Sequence, residues 1–144
     1  MKIQEIPFQL TFPVRHSVLR QGKPIETCFF EGDDFDTTVH FGLYFDNECI
    51  GVASIYSTNN SSFSQPNQYQ LRGMAVLNQF QKQGAGAQLV LHVEHYLQSK
   101  GISLLWFNAR EVAVPFYEKL GYTIKGPAFD IPSIGTHYVM AKKL

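Results

Sequence analysis

The apolar residues in the first half of the chain form short runs. HFGLYF at 40–45 and CIGVASIY at 49–56 are rich in aromatic and β-branched residues, which is typical of β-strands. The Asp-Asn pair at 46–47 lies between them and predicts a hairpin turn. QYQLRGMAVL at 68–77 predicts another strand, in which Gly73 indicates a bulge or a close approach of two backbone segments.

Helical periodicity appears mainly in the second half of the chain. Apolar residues recur three and four positions apart over 86–97, which predicts a helix that ends at Lys100, before a glycine. EVAVPFYEKLGY at 111–122 predicts a shorter helix, with Pro115 in its first turn because a missing N–H costs little there. VRHSVLR at 14–20 predicts a third helix, which a Gly and a Pro then terminate.

The remaining apolar runs complete a sheet. ISLLWFN at 102–108 is nearly continuous, which is typical of a strand buried on both faces and allows parallel neighbours. YTIK at 122–125 and THYVMAKKL at 136–144 predict the last strands. This order of elements predicts an α/β fold with a mixed sheet and helices on its faces. The chain has the size of one domain and shows no linker or repeat, so we expect a single domain over 1–144.

Composition limits the classes of partner. Lys plus Arg and Asp plus Glu number 12 each, so no net charge attracts nucleic acid or an anionic membrane. No apolar run reaches the roughly 18 residues of a membrane span, and the N-terminal segment resembles no secretory signal. We therefore expect a cytoplasmic protein without nucleic-acid or membrane partners. Cys28 and Cys49 lack CxxC spacing and a nearby His cluster, so we expect reduced thiols.

The stretch FQKQGAGAQLV at 80–90 carries the first candidate chemistry. It does not fit the P-loop pattern, and Leu89 occupies the third small position of the Rossmann pattern. Glycines that open a helix after a strand and a loop let an anion approach the N–H groups of the first turn. The same glycines also suit a tight helix start that serves packing alone. By itself the stretch leaves both interpretations open.

Three segments together resemble the GNAT superfamily of N-acetyltransferases. QKQGAG at 81–86 fits that family's Q/R-x-x-G-x-G/A motif. LRGMAV at 71–76 is similar to the strand that holds the pantetheine arm of coenzyme A (CoA). NAREVAVPFYEKLGY at 108–122 is similar to the family's strand-end Asn, Phe-Tyr helix and Gly-Tyr closure. The resemblance covers 68–144 well, and it implies a mostly antiparallel central sheet with helices on both faces.

The resemblance implies acetyl-CoA, or another acyl-CoA, as the donor. The backbone of Met74, Ala75 and Val76 would pair with the pantetheine amides. The residues whose main-chain N–H groups would surround the pyrophosphate are Gln81, Lys82, Gln83, Gly84, Ala85, Gly86 and Ala87. No metal is implied, since His92 and His95 lie three apart on a predicted helix without an evident third ligand.

The implied reaction is direct attack of an amine on the thioester in a ternary complex. Tyr117 matches the family position that donates a proton to the departing sulfur, and a phenol with a pKa of about 10 keeps its proton at neutral pH. A place in the core is the alternative for Tyr117, and it is our expectation for Phe116. The N–H of Val76 would stabilise the oxyanion. Asn108 would hydrogen-bond the CoA arm or, alternatively, cap the next helix.

The base and the acceptor site are less defined. The third predicted strand has no carboxylate, so the Glu that many relatives use as a base has no counterpart here. His137 lies where similar proteins bind the acceptor and would relay a proton, unless it is structural. Arg72 would bind an acceptor carboxylate, unless it is an ordinary surface arginine. In the family the first helix, here with Arg15, His16 and Arg20, often borders the acceptor.

We therefore expect an N-acetyltransferase that acts on a primary amine of a small molecule or peptide. Two alternatives remain: an acetyltransferase for protein N-termini or lysines, and a sensor that binds acyl-CoA without catalysis. Homodimers are common in the superfamily, so a homodimer is compatible with the resemblance, although no residue decides the oligomeric state.

Overall fold

The computed structural model describes residues 1–144 and contains one sheet and three α-helices. The strands are β1 (Lys2–Ile6), β2 (Val39–Phe45), β3 (Glu48–Ser57), β4 (Gln68–Val76), β5 (Leu104–Arg110), β6 (Thr123–Ile124), β7 (Phe129–Ile131) and β8 (Gly135–Lys143). The helices are α1 (Phe12–Leu19), α2 (Ala85–Ser99) and α3 (Val114–Lys119). The strand order is β1-β2-β3-β4-β5-β8-β6, with β7 also paired to β8. Only β4 and β5 are parallel neighbours.

The turn between β2 and β3 and the bulge in β4 both follow from local sequence. Asp46 and Asn47 have positive φ angles of 49° and 64°, as a type I′ hairpin turn requires. Further along the sheet, Gly73 and Met74 of β4 lie opposite the single residue Ala53 of β3. Gly73 adopts a φ of 65°, which a glycine tolerates without strain. The predicted bulge is therefore present.

β4 and β5 pair only at their beginnings. The register aligns residues 68–70 of β4 with 104–106 of β5. β5 continues along β8 as far as Arg110, whereas residues 71–76 of β4 have no partner on that side. The two strands therefore separate toward their carboxyl ends. This separation creates the cavity described below.

Helices cover both faces of the sheet, which confirms the predicted fold class. On one face α2 packs against the main core, whose buried residues include Phe41, Leu43, Ile50, Ile55, Leu89, Val93, Leu105 and Met140. On the other face Val14 of α1 packs with Ile6, Val52 and Ala75. None of the three helices combines the length and the apolar character that crossing a membrane requires.

The sequence pattern does not predict β1 or β7. It also predicts one continuous helix over 111–122, where the structure has two elements. In β1, Ile3 and Ile6 are three residues apart, so the alternation typical of a strand is absent. The segment Glu111–Ala113 is a 3₁₀ turn, and α3 begins only at Val114. Pro115 explains this break, because it has no N–H to donate to the carbonyl four residues earlier.

A buried ion pair joins α1 to the segment before β2. Two nitrogens of the Arg15 guanidinium donate to the Asp33 carboxylate over 2.6 and 3.1 Å, and both side chains are fully buried. Arg15 also donates to the Cys28 carbonyl and to the hydroxyls of Ser54 and Tyr56. Tyr56 in turn donates its O–H to Asp33. The network ties together three segments that are distant in the sequence.

The charge state of this network follows from its contacts. Burial alone would raise the pKa of Asp33, but hydrogen bonds from Arg15 and Tyr56 outweigh it and keep that pKa below 3.8. The nearby His40 donates from Nε2 to the Asp33 carbonyl over 2.9 Å, so Nδ1 of the uncharged ring accepts from the Ser54 hydroxyl over 2.6 Å. Burial lowers the pKa of His40 below 6.5. At neutral pH Asp33 is therefore ionised and His40 is uncharged.

Candidate active site

The separation of β4 and β5 opens a cavity of about 380 Å³, called here the central cleft. Strand β4 contributes one wall, strand β5 contributes the other, and α3 and β8 each add a titratable side chain. The lining residues are Leu19, Leu71, Arg72, Gly73, Met74, Phe107, Asn108, Ala109, Arg110, Ala113, Tyr117, Ile134 and His137. Four of the residues that the sequence singled out, Arg72, Asn108, Tyr117 and His137, thus meet in one cavity.

Tyr117 reaches the central cleft from α3. Its side chain is 9% exposed and packs on Phe107, with the ring centroids 4.2 Å apart. Burial raises the pKa of Tyr117 to about 12, and no hydrogen bond to the hydroxyl opposes or adds to this effect. The phenol is therefore protonated at neutral pH. The hydroxyl of this mostly buried side chain has no partner within the protein, which suits a group that meets a ligand.

His137 presents one nitrogen to the same cleft. It lies in β8 beside Arg110 of β5. Its Nδ1 is 2.8 Å from the Gly135 carbonyl oxygen, which accepts only, so Nδ1 carries the proton of the neutral ring. Nε2 then carries a lone pair and has no partner within the protein. Tyr117, whose phenol can donate a proton, and His137, whose imidazole can accept one, therefore line the same cavity.

Asn108 and Arg72 both line the cleft, but only the side chain of Arg72 is held by a hydrogen bond within the protein. Asn108 is exposed near the end of β5 and caps no helix, since Ala113 precedes α3 and makes no side-chain cap. The capping alternative for Asn108 is therefore wrong. Arg72 donates from Nη1 to the Glu31 carbonyl over 3.0 Å, and its guanidinium lies 4.4 Å from the Tyr56 ring centroid. It forms no ion pair within the protein.

A second cavity, of about 530 Å³, adjoins the central cleft and is called here the glycine groove. It runs between the end of β4, the start of α2 and the start of α3. Its lining residues are Val18, Met74, Ala75, Val76, Gln81, Lys82, Gly84, Ala85, Gly86, Ala87, Arg110, Ala113 and Phe116. Met74, Arg110 and Ala113 belong to both cavities, so the groove leads directly into the cleft.

A row of main-chain N–H groups marks the start of α2. Those of residues 82–87 have no acceptor in the protein, and the first helical bond runs from Gln88 N to Gly84 O over 3.0 Å. Lys82 and Gly84 have φ angles of 62° and 85°, which turn the chain sharply before the helix. Such a row, together with the positive end of the helix, favours an anion. Gln81 is not part of the row, because its N–H donates to Asn78 O.

The glutamine side chains of the motif brace the loop. Gln81 Nε2 donates to the Val76 carbonyl over 2.8 Å, which ties the loop to the end of β4. Gln83 Nε2 donates to the Gln79 carbonyl over 3.3 Å, and the residue does not line the glycine groove. The side chain of Gln83 is therefore not available to a ligand in the groove, and only its main-chain N–H can contribute to the predicted cofactor site.

Gly86 keeps the glycine groove open. A Cβ at this position would lie 3.3 Å from Phe116 Cζ and 3.7 Å from Met74 Cε. Phe116 is 37% exposed and lines the groove, so our expectation that it belongs to the core was wrong. The short helix α3 buries only one of two adjacent aromatics, because neighbouring residues point about 100° apart. Tyr117 is the buried one of the two, and Phe116 lines the groove.

The main chain of β4 also faces the opening. Leu77 N–H donates to the Ile50 carbonyl of β3 over 2.8 Å. Because successive N–H groups in a strand point to opposite sides, the N–H of Val76 points away from β3 and toward the gap beside β5. Unpaired strand backbone of this kind can accept an extended ligand as an additional strand.

A third cavity, of about 360 Å³, opens beside the central cleft and is called here the side cavity. Its lining residues are Leu19, Arg20, Phe30, Gln70, Leu71, Arg72, Gly73, Asn108, Ile131, Ile134 and His137. Of the three candidates of the first predicted helix, only Arg20, which follows the end of α1, borders it. Arg15 is buried in the ion pair with Asp33, and His16 contacts the Lys23 carbonyl. The sequence reasoning missed Phe30, whose one signal is an aromatic pair within an otherwise polar segment.

Two comparisons of sequence place this chain among known proteins. The sequence model of the acetyltransferase (GNAT) family matches residues 8–122. The chain is also 36% identical to an uncharacterized N-acetyltransferase, YitI, of Bacillus subtilis (strain 168). That alignment covers 100% of this chain and 97% of the relative.

Solved structures share the fold. An aminoglycoside 6′-N-acetyltransferase in complex with coenzyme A matches with a TM-score of 0.78 and 16% identity, covering 99% of this chain and 97% of that one. The ribosomal-protein-S18-alanine N-acetyltransferase of Escherichia coli matches with a TM-score of 0.75 and 18% identity, covering 99% and 92%. At such identities the likeness concerns the arrangement of helices and strands.

Proposed function

This chain belongs to the GNAT family of acetyltransferases, and we propose that it transfers an acetyl group from acetyl-CoA to a primary amine of a small molecule or peptide. The observation that carries the proposal is the passage from the glycine groove into the central cleft, where Tyr117 and His137 lie. Residues 1–144 would act as one domain, since one sheet includes strands from both ends of the chain.

The glycine groove fits the donor. Acetyl-CoA would supply the acetyl group as an activated thioester. The N–H row at 82–87 suits its pyrophosphate, and the absence of a side chain at Gly86 leaves room for it. The edge of β4 at Met74–Val76 has no partner strand on the β5 side and suits the amides of the pantetheine arm, and Asn108 stands further along the same opening.

Tyr117 would assist departure of the sulfur. Its phenol, with a pKa of about 12, donates a hydrogen bond to a developing thiolate and holds the proton that the thiolate takes up. A thiol has a pKa of about 8.5, so full transfer from the phenol is unfavourable unless its proton is replaced. The proton lost by the attacking amine provides that replacement, which keeps the reaction balanced.

His137 and Val76 would complete the chemistry. Nε2 of His137 accepts the proton that an ammonium must lose before its nitrogen can attack. The N–H of Val76, which points into the gap, stabilises negative charge on the carbonyl oxygen of the acetyl group. Both groups are held by strands, so little reorganisation is needed during the reaction.

Replacing Gly86 by valine tests the donor site. We expect acetyl-CoA affinity to fall roughly 10- to 100-fold, because overpacking a closely filled site costs about 1–3 kcal/mol. The new side chain would contact Phe116 and occupy the groove. Isothermal titration with acetyl-CoA measures the effect.

The matched control for this test is Gln88→Val. Gln88 is exposed two residues further along α2, so valine there has the same β-branched effect on the helix without entering the groove. Unchanged acetyl-CoA affinity in Gly86→Val, or an equal loss in Gln88→Val, would show that the glycine groove is not the donor site.

A further inference from the structure

Two arginines of the side cavity have no carboxylate partner. Arg20 donates to its neighbouring Leu19 carbonyl over 3.1 Å, and Arg72 donates to the Glu31 carbonyl over 3.0 Å. Neither guanidinium lies within ion-pair distance of an Asp or Glu, whereas the buried Arg15 forms an ion pair with Asp33. Each of the two arginines therefore keeps N–H donors that are not used within the protein.

Phe30 arranges the two guanidinium groups around one ring. The Arg20 and Arg72 guanidinium carbons lie 4.9 and 5.7 Å from its ring centroid, within the range of cation–π contacts. Arg15 lies 4.1 Å from the same ring, and the Phe30 N–H donates to Asp33 over 2.8 Å. The buried ion pair thus anchors the aromatic wall against which both unpaired arginines rest.

The walls around these arginines contain no acid. Neither the side cavity nor the central cleft is lined by an Asp or Glu, while Arg20, Arg72 and Arg110 all contribute to one or the other. Local charge is therefore positive although the whole chain is neutral. A polycationic acceptor would meet repulsion here and no carboxylate to bind it.

We propose that the acceptor amine carries an anionic group, a carboxylate or a phosphate, that binds Arg20 and Arg72 in the side cavity. The inference rests on the proposed acetyltransferase function and specifies its substrate class. Guanidinium groups bind both kinds of anion through paired N–H donors. The volume of about 360 Å³ is at the low end for ligand sites, which favours an acceptor of about amino-acid size.

The layout of the cavities connects this anion site to the chemistry. Asn108 and His137 line both the side cavity and the central cleft. An acceptor whose anion binds the arginines would extend past these two residues toward Tyr117. Its amine would then reach the groups that exchange protons, so the arginines would select the acceptor without taking part in the chemical step.

Matched pairs of amines test the proposal and separate the two anions. The carboxylate pair is phenylalanine and phenylalaninamide, and the phosphate pair is phosphoethanolamine and ethanolamine. Spermidine serves as the polycation. The N-acetyl product is quantified by mass spectrometry, and acetyl-CoA affinity is measured by titration for every protein variant. We expect the anionic member of at least one pair to have a kcat/KM roughly 10- to 100-fold above its neutral partner.

Variants assign this preference to the arginines. Arg20→Gln loses a bond to its neighbour's carbonyl and a cation–π contact with Phe30 but no ion pair, so the fold is expected to persist, and the preference should fall at least about tenfold. Arg72→Lys retains the charge but not the paired donors and should give an intermediate preference. Lys2→Gln, on the distant edge strand, removes one positive charge and should leave the preference unchanged.

The outcomes are distinguishable from failure of the acetyltransferase proposal. Binding of the same amine pairs to CoA-saturated protein is measured in parallel, so that a slow chemical step does not hide the preference. Acetyl transfer or ternary binding without any preference for an anion overturns the substrate class and leaves the enzyme function intact. A preference that survives in Arg20→Gln and Arg72→Lys overturns the role of the arginines. Absence of acetyl-CoA binding overturns the function itself.

Discussion

A Tyr117→Phe variant is expected to lose roughly 10²- to 10⁴-fold in kcat while binding acetyl-CoA as tightly as the unaltered protein. This range is the usual contribution of a positioned acid or base. The hydroxyl makes no hydrogen bond within the protein, so its removal should leave the packing on Phe107 unchanged. Steady-state CoA release and acetyl-CoA titration together measure the two quantities.

Tyr138→Phe is the control for the loss of a tyrosine hydroxyl. Tyr138 lies in β8 beside Ala109 and lines neither the central cleft nor the glycine groove. Its variant should retain full activity. Because the pKa of Tyr117 is about 12, this group should cause no loss of activity below about pH 11. Equal kcat values for Tyr117→Phe and the unaltered protein would remove the tyrosine from the mechanism.

The second large effect is expected on stability. Asp33→Asn should lower the free energy of unfolding by about 3–5 kcal/mol, because it leaves the Arg15 guanidinium buried without its counter-charge. Asp34→Asn is the matched control, since Asp34 is adjacent but exposed and should change stability by less than about 0.5 kcal/mol. Urea unfolding followed by circular dichroism gives both values.

The sign of the pH dependence follows from the lowered pKa of Asp33. Near pH 3.8 Asp33 becomes protonated in the unfolded chain but stays ionised in the folded protein, so the unfolded state binds more protons. The stabilisation is therefore complete above this range and is lost as the pH falls through the folded-state pKa. Asp33→Asn should lack this acid loss. An unfolding midpoint that falls with acid equally in both proteins would contradict the role assigned to the ion pair.

Strands with strong apolar patterns were predictable, and the edge strands were not. The four residues 104–107 of β5 are all buried, as the continuous run ISLLWFN predicts. β1 and β7 lie at the margins of the sheet and bury few side chains, so tertiary pairing rather than apolar alternation holds them in place. Local sequence carries little information about such strands.

The donor side of the candidate site follows from local sequence more than the acceptor side does. The N–H row beside the glycine groove comes from consecutive residues, 82–87, and depends on the start of one helix, although β4 and α3 provide the other walls of the groove. The side cavity instead brings together Arg20, Phe30 and Arg72 from three separate segments. No spacing in the sequence predicts that assembly.

The two arginines of the predicted helix 14–20 show why the acceptor side was difficult to predict. Arg15 and Arg20 are five residues apart, which places them about 140° apart around a helix. Nothing in VRHSVLR indicates which one faces the sheet. Arg15 faces the sheet because it donates hydrogen bonds to Asp33 and Ser54. These contacts join segments that are distant in the sequence and form only in the folded chain.

Acetyl transfer itself is the most direct test of the account. The protein is incubated with acetyl-CoA labelled with ¹³C in the acetyl group and with amines that carry a carboxylate, a phosphate or no anion, together with a short peptide. Mass spectrometry follows the label. We expect labelled amide and free CoA in equal amounts, with the anionic amines preferred and Tyr117→Phe nearly inactive. Tight binding of acetyl-CoA with the label remaining in the thioester for every amine would contradict catalysis and favour an acyl-CoA sensor.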